Sequence, residues 1–143
     1  MQGYHYKVWK LSESIKVCIR CSIHSKLPNS EDFCNLFVLP EWNDKRQTWN
    51  RDLDAMTAVM FTNEIHDNSC KFSRWTIESF LGGVQKMRFG FVQRLDSKGE
   101  THKLVGTFTQ DTLSFLTQMN INLNNCWATL RDVIVTVFDR KEQ

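Results

Sequence analysis

The chain has 143 residues, 41% of them apolar and 24% charged, which fits one globular soluble domain and excludes a disordered tail. Its net charge of +2 is too small to argue nucleic-acid binding alone, so any such site must come from local clustering. No apolar run is long enough to span a bilayer and no signal peptide is seen; the five cysteines then fit reduced, buried thiols of a cytosolic protein.

Residues 4–11 read as a short aromatic strand. Residues 15–24 alternate most clearly, with Ile15, Val17, Ile19, Cys21 and Ile23 pointing one way and Lys16, Cys18, Arg20, Ser22 and His24 the other. That alternation puts Cys18 and Cys21 on opposite faces, so the lone C-x-x-C is structural; a zinc site would need a second pair at usable spacing. Pro28 and Asn29 mark 27–32 as a turn, and 33–39 is a third strand ended by Pro40. Residues 41–54 are polar and read as a surface connection with a helical turn near 49–53. Residues 55–65 are apolar with β-branched members, which predicts a buried strand carrying Glu64 and His66 on one face at its end.

A helix follows, capped by Asp67 or Asn68 and stopped by Gly82-Gly83, with Cys70, Ile77, Phe80, Leu81 and Val84 as its inner stripe. Met87, Phe89 and Phe91 alternate in a strand over 87–95. A hairpin turn at 96–99, with Gly99 suited to positive φ, leads to a partner strand over 101–109. Asp111 caps a short helix with Leu113, Leu116 and Met119. Leu123, Trp127, Leu130, Ile134 and Val137 form a helical stripe that outweighs the β-branched run 133–138. The sum is a single α+β domain over 1–143: a mixed, mostly antiparallel sheet of about six strands with flanking helices packed toward the C-terminal half.

No glycine-rich phosphate loop, nucleophile elbow or i, i+4 histidine pair is present, so no catalytic residue, metal or cofactor is expected. The candidate RNA-binding residues are Lys16, Arg20, His24, Glu64, His66, Lys71 and Arg74. If the strands bearing Lys16, Arg20, Ser22 and His24 and bearing Glu64 and His66 are neighbours, these groups line a groove of cations beside one carboxylate, suited to phosphate-rich ligands. The plainer alternative is a solvated sheet face. Lys71, Arg74, Lys86 and Arg88 add positive charge around the helix. Arg74 beside Trp75 suits nucleotide stacking, whereas the plainer reading is a surface cation on a helix whose Trp packs inward.

The run Tyr4-His5-Tyr6-Lys7-Val8-Trp9-Lys10-Leu11 resembles Y-R-Y-R-R-W-K-L in the D subunit of eukaryotic translation initiation factor 3. Arg20-Cys21 stands where that family has R-C-E-H-D, and Glu41-Trp42 resembles its N-E-W-D. The segments 49–54, 71–76 and 90–94 resemble W-R-Q-K-L-D, K-L-A-R-W-T and G-Y-V-S-R. Ile121-Asn122-Leu123 with Trp127, Leu130, Arg131, Val133 and Ile134 resembles I-N-L…W-x-x-L-R-x-V-I, with a gap two residues shorter before Trp127. The resemblance covers nearly the whole chain, and the order and spacing of its motifs carry it.

That family's cap-binding domain looks like the Dxo/Rai-type RNA 5′-end decapping nucleases, and Ser79-Phe80-Leu81 followed by Gly83-Val84 is similar to their S-F-L-P-G-V. Those nucleases hold metal on an E-x-D strand and an E-x-K strand. Residue by residue the first pair falls on Ser22 and His24, and the second on Glu64 and His66, so three of four chemical roles are lost. One carboxylate is too few for metal-assisted phosphodiester cleavage, and nuclease activity is not expected.

The resemblance therefore implies a non-catalytic component of the factor 3 complex in the cytoplasm, corresponding to the later part of the cap-binding domain. Its implied partners are other factor 3 subunits, the small ribosomal subunit and the mRNA 5′ end, with no membrane. The alternatives are an RNA 5′-end hydrolase and a truncated product without function. Much of the family's domain precedes the matched segment, so the chain is expected to be a fragment or a shortened paralogue whose sheet exposes edges and apolar surface.

Overall fold

A computed structural model describes residues 3–41, 53–95 and 101–140, with the backbone alone described over 53–57. The elements run β1 (Gly3–Lys10), β2 (Lys16–Ile23), β3 (Ser25–Lys26), β4 (Phe33–Pro40), α1 (Leu53–Asp67), α2 (Ser69–Leu81), β5 (Lys86–Arg94), β6 (His102–Asp111), α3 (Thr112–Gln118) and α4 (Leu123–Asp139). The chain is α+β, as its patterning indicates. Its described strands form two sheets where one was expected. β1 and β2 make an antiparallel ribbon, and β3-β4-β5-β6 make a four-stranded sheet. Among the described strands, only β4 and β5 pair in parallel.

The segment 55–65 is helical, contrary to the strand predicted from its composition. Two physical facts decide this. A short apolar run carries no reliable period of its own. Parallel neighbours also need a crossover connection, which is usually helical. Phe61 and Ile65, one turn apart, accordingly join the same core. The expected turns at 49–53 and 96–99 fall on or next to residues outside the described set.

The next helix starts and stops as expected but buries a different stripe. Phe72, Thr76 and Ser79 are its buried residues, whereas Cys70 is exposed. The small polar members are bonded: Thr76 Oγ1 donates to the Phe72 carbonyl and Ser79 Oγ accepts from Asn35 Nδ2. Asn68 occupies the N-cap position without a side-chain capping bond. Gly83, at φ 68°, takes the left-handed turn that ends the helix. Asp111 caps α3, its carboxylate accepting from the Leu113 and Ser114 amides. α4 is a helix, as its stripe predicts, yet none of its residues is buried.

The core lies between the four-stranded sheet and α1, α2 and α3. It is largely phenylalanine: Phe37, Phe61, Phe72, Phe89, Phe91 and Phe115, with Leu39 and Met87. The Phe61 ring centroid lies 4.6–6.4 Å from those of Phe72, Phe89, Phe91, Phe108 and Phe115, touching α2, β5, β6 and α3 at once. On the sheet's other face Leu36, Val38 and Leu104 are exposed.

Val59 and Phe61 would share a face in a strand, whereas here Val59 is 51% exposed and Phe61 3%. Phe61→Ala is expected to lower unfolding free energy by about 3–5 kcal/mol. Val59→Ala is expected to stay within about 0.5 kcal/mol of the parent. Urea denaturation of the two variants measures both, and equal effects would contradict the helical register.

Candidate functional site

The candidate residues separate into two surfaces and one junction. Lys16 and Arg20 lie exposed on the outer face of the β1–β2 ribbon. The Arg20 guanidinium carbon sits 4.8 Å from the centroid of the Tyr4 ring. Glu64 and His66 close α1 and Lys71 and Arg74 lie on the first turns of α2, with Glu64 and Lys71 facing each other across the junction. Among the described strands β2 pairs with β1 alone, and Glu64 and His66 stand on a helix, so the groove between two neighbouring strands does not form. For the same reason the strand-borne E-x-K arrangement carried over to Glu64 and His66 is corrected: those residues are on no strand.

His24 is the junction. Its backbone amide donates to Asn35 Oδ1 at 3.3 Å, and its Nδ1 accepts from the Leu36 amide at 2.9 Å. That acceptor role places its ring proton on Nε2. The ring meets the Phe37 ring edge-on at 5.9 Å. Phe37 in turn stacks on Trp75 at 4.6 Å and 17°, and Lys71 Nζ lies 5.3 Å from the Trp75 centroid. Thus an aromatic row runs from His24 to Lys71 through Phe37 and Trp75, tying the sheet edge to the helix. Trp75 packs inward, and Arg74 is the exposed cation next to it, bonded to Glu78 at 3.0 Å.

Glu64 accepts a bond from Asn68 Nδ2 at 3.1 Å. Burial pushes its carboxyl above the usual range, with Lys71 pulling it back down and Asp67 adding to the rise. His66 is solvent-facing and pairs with Asp67, at 2.9 Å. Among the described residues no group of three or more His, Cys, Asp or Glu side chains is placed to hold a metal ion. None of the described helices is long and apolar enough to cross a membrane.

Asn35 and Phe37 were missed by the patterning because both sit inside an apolar strand. The available signal was Asn35 itself: a polar residue amid Phe33-Cys34 and Leu36-Phe37 is held there by hydrogen bonds or not at all. It is 3% exposed and links His24 to Ser79. The C-x-x-C pair lies on opposite faces as its spacing requires, with Cys18 exposed and Cys21 half-buried; the expectation of buried thiols is corrected, since Cys18, Cys70 and Cys126 are exposed and only Cys34 is buried.

Compared with known proteins, residues 1–143 match the family described as eukaryotic translation initiation factor 3 subunit 7 (eIF-3). The chain is 34% identical over 139 residues to the D-2 subunit of eukaryotic translation initiation factor 3 of Drosophila willistoni, an overlap covering 92% of this chain and 25% of that protein. It is 31% identical over 147 aligned positions to the D-1 subunit of the same factor of Drosophila persimilis, covering 98% and 27% respectively. The chain therefore spans about a quarter of the length of these relatives.

The raised Glu64 carboxyl has a consequence for stability. The folded chain holds that proton more tightly than the unfolded chain, whose value lies near 4.5. The associated stability is fully present below that value and is lost as pH rises through the higher folded one. Glu64→Gln, which keeps an acceptor for Asn68, is expected to remove this loss. Between about pH 4 and about pH 7 its Tm should change less than the parent's in scanning calorimetry; parallel pH profiles would refute the assignment.

Proposed function

This chain belongs to the eukaryotic translation initiation factor 3 subunit 7 family, and from that premise we propose that it serves as a non-catalytic part of that factor, contacting the capped 5′ end of mRNA. The observation that carries the reading is the family match over all 143 residues. Within it, the chain corresponds to the later part of the cap-binding domain, on a scaffold related to the decapping nucleases. It acts in the cytoplasm beside other factor 3 subunits and the small ribosomal subunit.

The α1–α2 surface has the chemistry that a capped end asks for. A methylated guanine is a flat cation, attracted to aromatic faces and to carboxylates, and its phosphates pair with Lys and Arg. Glu64 and Lys71 meet there, with Arg74 one turn further along α2, and supply the carboxylate and the cations; Trp75 lies half-buried beneath Lys71. The exposed Arg74–Glu78 pair is worth at most about 1 kcal/mol, so a phosphate can take Arg74 from it. By the resemblance, Ser22 and His24 fall where the nucleases carry carboxylates, and His24 is engaged with Leu36 and Asn35. That reading favours binding over cleavage.

Retention on cap-analogue resin, with release by free methylated cap nucleotide but not by GTP, is the expected result. The Lys71→Ala/Arg74→Ala double variant should weaken retention about tenfold, equivalent to about 1.4 kcal/mol. Retention that free cap fails to compete would refute the cap contact. Co-purification of factor 3 subunits with the tagged chain tests the assembly role separately.

A further inference from the structure

We propose that the outer face of the β1–β2 ribbon is a stacking platform for single-stranded RNA, separate from the α1–α2 surface. This rests on the mRNA-binding reading above and gives it a second contact. The register sets the face residue by residue: Tyr4 opposite Ser22, Tyr6 opposite Arg20, Val8 opposite Cys18, Lys10 opposite Lys16. Tyr4 is 48% and Tyr6 62% exposed. They are the only tyrosines of the chain.

Three features point to a polyanion with flat bases. First, two tyrosines two residues apart on one strand stand about 6.8 Å apart, twice the strand rise of about 3.4 Å. That also exceeds the rise of about 3.4 Å per nucleotide in a stacked duplex, so each ring suits one base of an unstacked strand. Second, the Arg20 guanidinium lies over Tyr4, a cation already held beside a stacking ring.

Third, the paired residues of this face include Lys10, Lys16 and Arg20 and no carboxylate. Lys10 and Lys16 are directly opposed, an arrangement that destabilises a ribbon. Glu13, in the connecting turn, offsets it in part through a 2.7 Å bond to Lys10. A phosphate between the two lysines relieves the repulsion. Tyrosine and arginine suit protein interfaces too, but this face has Val8 as its only large aliphatic side chain among the paired residues and two opposed lysines, a residue depleted in interface cores, so a polyanion fits it better. The ribbon's other face is already used, since His5 and Trp9 bond the carbonyls of Gly82 and Leu81 at the end of α2.

Fluorescence anisotropy of the full chain with a labelled, uncapped oligouridylate of about 12 nucleotides tests this. The parent should bind, with affinity falling as KCl rises. Tyr4→Ala/Tyr6→Ala should weaken binding at least about tenfold, and Tyr4→Phe/Tyr6→Phe should stay within about twofold, since stacking needs only the ring. Arg20→Ala should lower the salt slope by about 0.7. Free cap nucleotide should not compete. Unaltered melting of the exposed-site variants separates these effects from misfolding.

Absence of parent binding, or parent-like binding by Tyr4→Ala/Tyr6→Ala, overturns the platform even if cap-resin retention succeeds. Tyrosine-dependent binding of uncapped RNA supports the platform even if cap-resin retention fails. If the tyrosine variant loses factor 3 subunits while keeping RNA, the face belongs to a protein partner and the proposal is wrong.

Discussion

Two parallel neighbouring strands cannot be joined by a tight turn, so the pairing of β4 with β5 requires the chain between them to cross one face of the sheet. That segment carries α1 and α2. The crossover brings Phe61 and Phe72 onto Phe37, Phe89 and Phe91, and so fixes where the core lies. Each well-placed ring pair adds about 0.5–1.5 kcal/mol beyond area burial, a large contribution for a domain of marginal stability. The same crossover decides the chemistry above it. Glu64 and Lys71 meet because one helix ends and the next begins between them.

The ribbon depends on that crossover in turn. The last carbonyls of a helix have no partner within it and need donors from elsewhere. At the end of α2 the donors are side chains of β1: His5 Nδ1 to Gly82 at 2.7 Å and Trp9 Nε1 to Leu81 at 3.3 Å. Lys7 brings a positive charge to the same terminus, its Nζ 3.1 Å from where a Cβ on Gly83 would lie, a favourable position against the helix dipole. Trp9 also packs on Phe80 and on Trp127 of α4. With His5, Lys7 and Trp9 committed to the helix, strand alternation leaves Tyr4, Tyr6, Val8 and Lys10 facing away from it.

Alternation was legible wherever one face is wet, which is why β1, β2 and β5 follow the sequence closely. Helix ends were legible where a side-chain cap starts the helix or a glycine stops it, as at Asp111 and Gly83. The segment 55–65 was not legible, because its secondary structure is imposed by a strand pairing made between residues on either side of it. The helix stripe of α2 was misplaced for a related reason. Hydrophobicity favours Ile77 and Phe80, yet the most buried positions include Thr76 and Ser79. Their hydroxyls close hydrogen bonds to Phe72 and Asn35 that apolar side chains could not make. Of the candidate site, the residue types were legible, but the division between ribbon and helix junction was not.

The distribution of aromatic residues follows from what each ring can leave in water. Phenylalanines dominate the core, and rings without a polar atom lose most by exposure. The two tyrosines stand together on the ribbon's outer face, where the hydroxyls stay hydrated and Arg20 lies over the Tyr4 ring. Tryptophan takes the intermediate places. Trp9 is half-buried with its N–H spent on a helix carbonyl, and Trp75 is half-buried between Phe37 and Lys71. Exposed rings flanked by cations are the composition that single-stranded nucleic-acid sites use. No outer-face residue of the ribbon belongs to the phenylalanine core, so that face can change in sequence with little effect on the fold beneath.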